Sequence, residues 1–470
     1  MQGIAERIGS ALDRVAPTAG VLPVAEPERR FSGFDLFVLW GDLSVGLLVL
    51  VTGTLLVPAL GFRQALLAIV LGSVVGCVPL ALVGLAGARE GLPGMVLFRP
   101  VLGVRGSFAP SVLNLVQLLG WTAFEFWAMA SIANVVSRRL WGLDAYALWL
   151  LAVALLCTGL AIGGPIVVVR RWLERFGVYL VLAVGGWITF KLLSAPGLST
   201  IWRRPGAGGL PFWLAVDLVI AQPISWLPLV ADYNRFARRS AHTFAGTYAG
   251  YAIGNGWFYI LGALLVLLAG APADVVGLGT SIAALAGGSV VLVALFVGES
   301  DEAFANIYSW AVSAQNLVPR APQRLLVGAV AAVATVLALV ISVGSFELFL
   351  FLIGSVFVPL FGVFAADYFV LRNAGHDAGE LFRPGGRYWF RGGVRWRAFV
   401  PWIAGVVLYQ WCVPTGPEWW VAGVRTVFAR WLHLPFPLFD SGVGASLPSF
   451  AVAFALSILL LRRPQPSRAS

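Results

Sequence analysis

The feature that most constrains this chain is a series of apolar runs, each nearly long enough to cross a lipid bilayer. A membrane-spanning helix needs about 20 mostly apolar residues. Because the hydrocarbon core offers the backbone no hydrogen-bond partners, such runs fold as helices. The sequence therefore predicts an all-α polytopic membrane protein with twelve transmembrane helices, at residues 34–58, 65–87, 109–137, 146–167, 174–193, 211–232, 244–268, 280–300, 325–342, 346–371, 398–413 and 446–462.

The distribution of charge agrees with a membrane location and argues against a nucleic-acid partner. Charged residues make up 11% of the chain, against about 25% in soluble domains. The net charge is +10, but the basic residues form short clusters between apolar runs rather than one basic surface. With the N-terminus inside, 24 of the 32 Lys and Arg residues lie on inner segments. This bias predicts a multi-pass protein of the cytoplasmic membrane with both termini in the cytoplasm.

Nothing in the sequence indicates an enzyme. The longest loop, residues 372–397, is expected to be a solvated basic cytoplasmic loop and is too short for a catalytic domain. The phosphate-binding pattern GxxxxGK[ST] is absent, so ATP hydrolysis is not expected. His242, His376 and His433 fall in loops or at the ends of runs. We therefore predict a protein that is not an enzyme and needs no cofactor apart from a coupling ion.

The third run holds polar residues where a bilayer-crossing helix should hold none. Gln117, Trp121 and Glu125 are spaced i, i+4, i+8, which places them on one face of a helix. A carboxylate in the middle of a membrane helix is costly, so it normally faces a cavity, a partner or a substrate. We interpret this face as one wall of a binding site for a flat, polar, nitrogen-rich ring.

The first and sixth runs carry signs of broken helices. Asp42 lies near the middle of the first run, next to Gly41 and close to Gly46; alternatively it caps a helix start at the interface. In the sixth run, two prolines break the helix at mid-membrane, near Gln222, Ser225 and Trp226. Trp226 could instead anchor the helix at the membrane surface. Broken helices at equivalent places in two halves are typical of inverted-repeat transporters.

The eighth run ends in a cluster of acids. Glu299, Asp301 and Glu302 follow Gly298 directly, and Asn306 comes one turn later. Two interpretations stay open. The cluster marks the place where the run leaves the membrane, or the helix is longer than the apolar run and the acids lie inside it, because the segment after residue 303 contains no turn signal.

Several motifs resemble those of the nucleobase–cation symporter-1 family. They are GAREGL at 87–92, RPVLGVRGS at 99–107, QLLGW at 117–121, ADYNRF at 231–236 and ADY at 366–368. Residues 307–313 and 36–40 look most similar to the hydroxymethylpyrimidine permease branch. The resemblance implies a monomeric, LeuT-like five-plus-five inverted repeat with broken helices 1 and 6 plus two extra helices. The expected units are 1–33 (tail), 34–193 and 194–371 (repeats), 372–397 (loop), 398–462 (extra helices) and 463–470 (tail).

The resemblance also implies a substrate site. It places Trp121 against the substrate ring, Glu125 one turn later at the ring edge, and Gln222, Ser225 and Trp226 on the other side of the site. To these we add Gln117, on the same helix face as Trp121, and Asn306 at the ring edge. Such a site predicts import of a pyrimidine-type nucleobase or a thiamine-precursor pyrimidine, such as hydroxymethylpyrimidine or cytosine, by alternating access. The alternatives are a purine, allantoin or hydantoin, or a membrane-embedded sensor that does not transport.

The cation positions depart from the sodium-coupled pattern that the family implies. In the first run, the residues that match the sodium ligands of the family are Asp42, Val45 and Gly46. In the eighth run, Gly298 matches a carbonyl ligand, and Asp301 and Glu302 replace two hydroxyls. Carboxylates that share one small site cannot all stay ionised. We therefore expect coupling to H+, or to Na+ at a site with protonatable ligands, in addition to the small heterocyclic substrate.

Overall fold

The computed structural model describes residues 20–163, 176–341, 345–373, 375–383, 385–434, 436 and 444–462. These residues form helices joined by short connections, and their extended pairings are two isolated β-bridges. The predicted tail at 463–470, residues 1–19 of the other tail, and the run ends 164–167, 174–175 and 342 lie outside the described residues. Of the described helices, five are long and apolar enough to cross a membrane, or six when one bent pair is counted as a span.

The main helices follow the order of the predicted runs. They are α1 (Gly33–Asp42), α2 (Leu47–Leu55), α3 (Phe62–Glu90), α4 (Phe108–Trp141), α5 (Tyr146–Gly163), α6 (Val178–Leu193), α7 (Phe212–Trp226), α8 (Val230–Asn234), α9 (Thr243–Ala269), α10 (Val275–Ala284), α11 (Gly288–Leu317), α12 (Gln323–Ala338), α13 (Ser345–Ala365), α14 (Trp396–Cys412), α15 (Glu418–Arg425) and α16 (Ser446–Leu461). Short helical turns occupy Gly94–Leu97, Arg99–Leu102 and Leu198–Ile201, and wider turns extend α13 through Ala366–Leu371 and α15 through Thr426–Trp431.

The first predicted run is two helices, as expected for a broken span. The axes of α1 and α2 differ by 61° across residues 43–46. Ser32 starts α1 through a reciprocal capping box with Asp35, and Gly46 precedes α2 in an extended conformation. The break leaves the last carbonyls of α1 and the first N–H groups of α2 without helical partners. Asp42 is the last residue of α1, so the interpretation that it caps a helix start is wrong.

The sixth run is also interrupted, but only at the second of its two prolines. Pro223 lies inside α7, which continues to Trp226. The helix resumes as α8 at Val230, so the interruption contains Pro228 and not Pro223. A proline removes only its own N–H donor, and a buried membrane helix can tolerate that loss where neighbouring helices support the backbone.

The bounds predicted for the eighth run are wrong. Residues 280–300 belong to two elements, the short helix α10 and the first part of α11. Helix α11 runs on to Leu317 and carries Glu299, Asp301 and Glu302 near its middle, where all three are buried. The interpretation that these acids lie in a loop leaving the membrane is therefore wrong. Apolarity marked only the first half of this helix because its second half packs inside the protein.

The broken span packs against α9 through a face made of glycines. Gly246, Gly250 and Gly254 repeat every four residues and so share one side of α9. A Cβ added at Gly250 would overlap the carbonyl oxygen of Phe37, because α1 lies directly against the α9 backbone. Small residues allow this close packing between membrane helices, where apolar side chains gain little from burial.

The loop at 372–397 is more ordered than the sequence predicts. Leu381 and Tyr388 are buried in it. The carbonyl of Gly393 accepts a hydrogen bond of 2.9 Å from the backbone N–H of Arg105. The loop therefore lies against the segment between α3 and α4, and the expectation of a wholly solvated loop is wrong.

We predict that Gly250→Ala destabilises the protein, whereas Gly256→Ala on the same helix does not. At Gly256 the nearest atom to an added Cβ is the Ser73 hydroxyl at 3.8 Å, an ordinary contact. Overpacking costs about 1–3 kcal/mol, while alanine alone favours a helix over glycine by roughly 1 kcal/mol. Thermal unfolding of both variants in the same detergent measures the difference. Equal midpoints would show that the α1–α9 contact does not limit stability.

Candidate functional site

The polar face predicted on the third run exists in the structure and points into the protein. Gln117, Trp121 and Glu125 lie on α4 and are all buried. The side chain of Gln117 donates a 2.7 Å hydrogen bond to the backbone carbonyl of Ser225 at the end of α7. This bond joins the predicted wall of the site to the helix that was expected across from it.

Helix α11 packs along much of α4 and brings its acids to the same face. Glu125, Glu299 and Glu302 each place a carboxylate oxygen within 4.8 Å of the others. The sequence interpretation separated Glu125, as a substrate ligand, from the acids that bind the cation. The helix pairing removes that separation, because all three glutamates form one cluster (hereafter the glutamate cluster).

Glu299, which the sequence interpretation left out of the site, has the most definite contacts in this cluster. Its carboxylate accepts a 2.6 Å hydrogen bond from the backbone N–H of Leu47 and a longer one, 3.4 Å, from Leu48. These are among the free N–H groups at the start of α2, where the helix dipole also favours negative charge. The sequence could have identified Glu299 as a site residue through its spacing from Glu302, since residues at i and i+3 share a helix face.

Gly46 allows the carboxylates to approach the break. A Cβ at this position would overlap the carboxylate of Glu302 and crowd that of Glu299. Gly46 therefore lies beside two carboxylates, and the preceding residue, Val45, is buried. At Gly298, the predicted carbonyl ligand, an added Cβ would meet no atom within 4 Å, so open space lies beside α11 one turn before Glu302.

A second acidic contact lies at the other side of the break. Asp42, at the end of α1, lies close to Asp301 on α11. Both side chains are buried. The broken span is thus joined to α11 at both of its ends, through the Asp42–Asp301 pair and through Glu299.

The two predicted aromatic groups have separate surroundings. The Trp121 ring packs against Phe346 and Phe349, with centroid distances of 5.9 and 5.3 Å. The Trp226 ring meets Trp40 edge-on at 5.9 Å. Among the described residues, no ring contact joins Trp121 to Trp226. Trp226 is buried, so the alternative that it anchors the helix at the membrane surface is wrong.

Several buried polar atoms around α4, α7 and α11 have no hydrogen-bond partner among the described residues. They are the indole N–H of Trp121, both amide atoms of Gln222, the side-chain oxygen of Gln117, the amide nitrogen of Asn306 and both carboxylate oxygens of Glu125. Ser225 differs, because its hydroxyl donates a hydrogen bond to the backbone carbonyl of Gln222. A buried polar group without a partner costs about 1–3 kcal/mol, so these groups on three neighbouring helices favour a polar ligand, an ion or water as their partner.

Helices broken at the first and sixth spans, around a buried polar site, define a secondary transporter of the LeuT fold. Two solved structures of the nucleobase-cation-symport-1 family transporter Mhp1 have this fold. The closed form, with bromovinylhydantoin bound, aligns with a TM-score of 0.79 and 19% identity over 95% of both chains. The inward-facing form aligns with a TM-score of 0.74 and 20% identity, over 96% of this chain and 94% of that one. These neighbours confirm the predicted fold class.

The chain belongs to the family of permeases for cytosine/purines, uracil, thiamine and allantoin, whose model matches residues 23–429. A putative purine-cytosine permease of Bacillus subtilis is 26% identical over 82% of this chain and 85% of its own length. A hydantoin permease of Microbacterium maritypicum is 23% identical, over 89% and 90%. The protein is therefore a multi-pass membrane transporter and not an enzyme. These relatives support the family, and the hydroxymethylpyrimidine branch stays a prediction.

We predict that Glu299→Ala destabilises the protein more than Glu299→Gln. Both substitutions remove the charge, but only glutamine keeps an oxygen that can accept from Leu47. An unsatisfied buried N–H costs about 1–3 kcal/mol, and thermal unfolding in detergent at one pH measures the difference between the variants. If the two variants unfold at the same temperature, the contact with α2 does not support the broken span.

Proposed function

We propose that this transporter imports a pyrimidine-type nucleobase or a thiamine-precursor pyrimidine, such as cytosine or hydroxymethylpyrimidine, by alternating access. It works as a monomer in the cytoplasmic membrane with both termini in the cytoplasm. The observation that carries the proposal is the set of unpaired buried polar atoms on α4, α7 and α11, the indole N–H of Trp121 among them. A planar ring with polar edges can pair with these atoms and stack on the indole, whereas a hydrocarbon substrate cannot pair with them.

The ring binds against the indole of Trp121. Aromatic contacts of this kind contribute about 0.5–1.5 kcal/mol beyond the buried area. Phe346 and Phe349 pack against the indole with ring planes 81° and 70° from its own. Trp226 closes the other side of the ring, in the arrangement expected from the sequence. Stacking selects a flat substrate but does not distinguish one base from another.

The edges of the ring supply that distinction. Gln222 has a free donor and a free acceptor, and Asn306 has a free donor. Glu125 offers only acceptor oxygens while it is ionised. This set fits a ring that presents an exocyclic amine next to a ring nitrogen, and it fits poorly with a ring that shows mostly carbonyl oxygens. Purines, allantoin and hydantoin are the alternative substrates within the same family.

The coupling ion is H+ in this proposal. Glu125, Glu299 and Glu302 converge in the interior, and Asp42 meets Asp301 across the break. Among the described residues, none of the three glutamates has an ion pair with Lys, Arg or His. Acids this close cannot all be charged, so in this proposal they bind protons while the site is open to the outer side. The alternative is Na+, held by the same carboxylates with Val45 and Gly46 at the break.

We predict that purified protein in liposomes accumulates an aminopyrimidine and that Trp121→Ala abolishes this uptake. The loss of the stacking surface leaves the ring without its main apolar contact. Trp419→Ala is the matched control, because Trp419 is 73% exposed and lies on α15, away from the site. Uptake of radiolabelled cytosine and hydroxymethylpyrimidine measures the result. Binding without uptake would instead support a sensor.

Glu125→Gln tests the edge recognition in the same assay. The substitution adds a donor where only acceptors stood, so we expect the preference to move from amine-bearing towards carbonyl-bearing rings such as uracil. Competition by a panel of unlabelled bases measures that order. If the bases compete in the same order in Glu125→Gln as in the parent, and Trp121→Ala takes up substrate like the parent, the α4 face is not part of the substrate site.

We predict that an inward pH gradient drives uptake and that a sodium gradient alone does not. Protons bound by the buried acids on the outer side are released to the inner side as the site opens there. Liposomes prepared with each gradient separately, both at zero membrane potential, compare the two ions. Uptake that follows sodium and ignores pH would assign the acids to a Na+ site.

A further inference from the structure

A cavity of about 790 Å³ lies away from the transport site. It is formed by the end of the α13 extension, by the following loop and by the end of α16. Arginines dominate its charged lining, which consists of Arg372, Arg387, Arg395 and Arg462 facing Asp367 and Asp377. The transport mechanism uses none of these residues. Excess positive charge around a concave surface attracts anions.

Asp367 organises the inner wall of this cavity. Its carboxylate binds Arg372 through one oxygen and Arg395 through the other. Asp367 is almost completely buried, and the two arginines are mostly buried. One negative charge therefore holds two positive charges in fixed positions, which leaves an excess of positive charge at the wall.

The outer rim of the cavity carries two arginines that form no ion pair with a described acid. Arg387 and Arg462 are exposed, and neither forms an ion pair with a described residue. Arg462 directly follows the last residue of α16, and Arg387 lies beside Tyr388. The guanidinium groups of Arg372 and Arg387 lie 5.4 and 5.9 Å from the centre of the Tyr388 ring. Tyr388 is thus in contact with an inner and an outer arginine of the cavity.

His376 supplies an uncommitted donor within the same cavity. Both of its ring nitrogens are buried and have no hydrogen-bond partner among the described residues. Burial, and then the nearby Arg372, lower the pKa of His376 to about 3, so the ring is neutral at physiological pH. A neutral imidazole offers one N–H donor and one acceptor. The donor is available to an anion that enters between the arginines.

The cavity walls are held together by contacts that do not depend on a ligand. The Tyr388 hydroxyl accepts a 3.0 Å hydrogen bond from the backbone N–H of Asp377. Arg372 also donates to the carbonyl of Pro100 at 3.0 Å. These contacts fix Arg372 and Tyr388 before an anion enters, which lowers the entropy lost on binding.

We propose that this cavity is a binding site for a phosphate-bearing anion. Arginine side chains suit a phosphate group because the guanidinium plane offers paired N–H donors to two oxygens. Two sources share this chemistry: the phosphate of an anionic lipid headgroup, and free or esterified phosphate in solution. The basic residue bias places the cavity on the cytoplasmic side, where both sources are present.

The test uses the full-length protein in a neutral detergent. Isothermal titration measures binding of inorganic phosphate, and native mass spectrometry counts retained phosphatidylglycerol against phosphatidylcholine. The test variant is Arg387→Gln with Arg462→Gln, because these exposed side chains have no ion pair whose loss would disturb folding. The matched control is Arg239→Gln with Arg320→Gln, which removes two exposed arginines elsewhere.

We expect the Kd of the preferred anion to rise roughly tenfold in the test variant, as for the loss of charge-assisted contacts, and to stay at the parental value in the control. Phosphate binding without selective lipid retention identifies a soluble source. Retention of phosphatidylglycerol over phosphatidylcholine without phosphate binding identifies a lipid. The proposal is overturned if the parent binds neither, or if the control variant loses as much affinity as the test variant. All of these results are independent of which base is transported.

Discussion

The hydrogen bond between the Glu299 carboxylate and the N–H of Leu47 is the contact on which the polar interior depends. A broken membrane helix exposes backbone donors that lipid cannot satisfy. Here a side chain from α11 satisfies them. That contact requires Glu299 to point at the break, and the packing of α4 on α11 places Glu125 and Glu302 beside it. The cost of breaking the first span and the cost of burying acids therefore partly offset each other.

The same contact explains why the site has so little room for a side chain at the break. Gly46 is needed because two carboxylates approach its Cα. The glycine face of α9 holds α1 against the bundle in a comparable way. Close backbone packing on one side and carboxylates on the other define the position of the broken span. In secondary transporters with broken helices, one helix bundle moves against another around the site that those helices form, so contacts there that protonation can alter are well placed to influence the motion.

The apolar runs and the α4 face could be predicted because each depends on residues close in the chain. Length and apolarity identify a span, and the spacing of Gln117, Trp121 and Glu125 identifies a face. The end of α11 could not be predicted from apolarity, since its acidic half is shielded by α4 rather than by lipid. The break in the sixth run was predicted at two prolines, but the α7 backbone continues through Pro223 and stops only before Pro228. Both errors arise where neighbouring helices replace lipid as the environment.

Local patterns in the chain were enough to identify a helical membrane transporter, to place most of its spans and to show which face of α4 is polar. They also showed that the first and sixth spans are broken. Only the tertiary structure decided which acids act together, because Glu125 and Glu299 are far apart in the chain and meet through the packing of α4 on α11. The structure likewise revealed that the Glu299 carboxylate, from α11, accepts hydrogen bonds from the first N–H groups of α2. A carboxylate's role depends on the donors and charges that surround it, and those neighbours come from other helices.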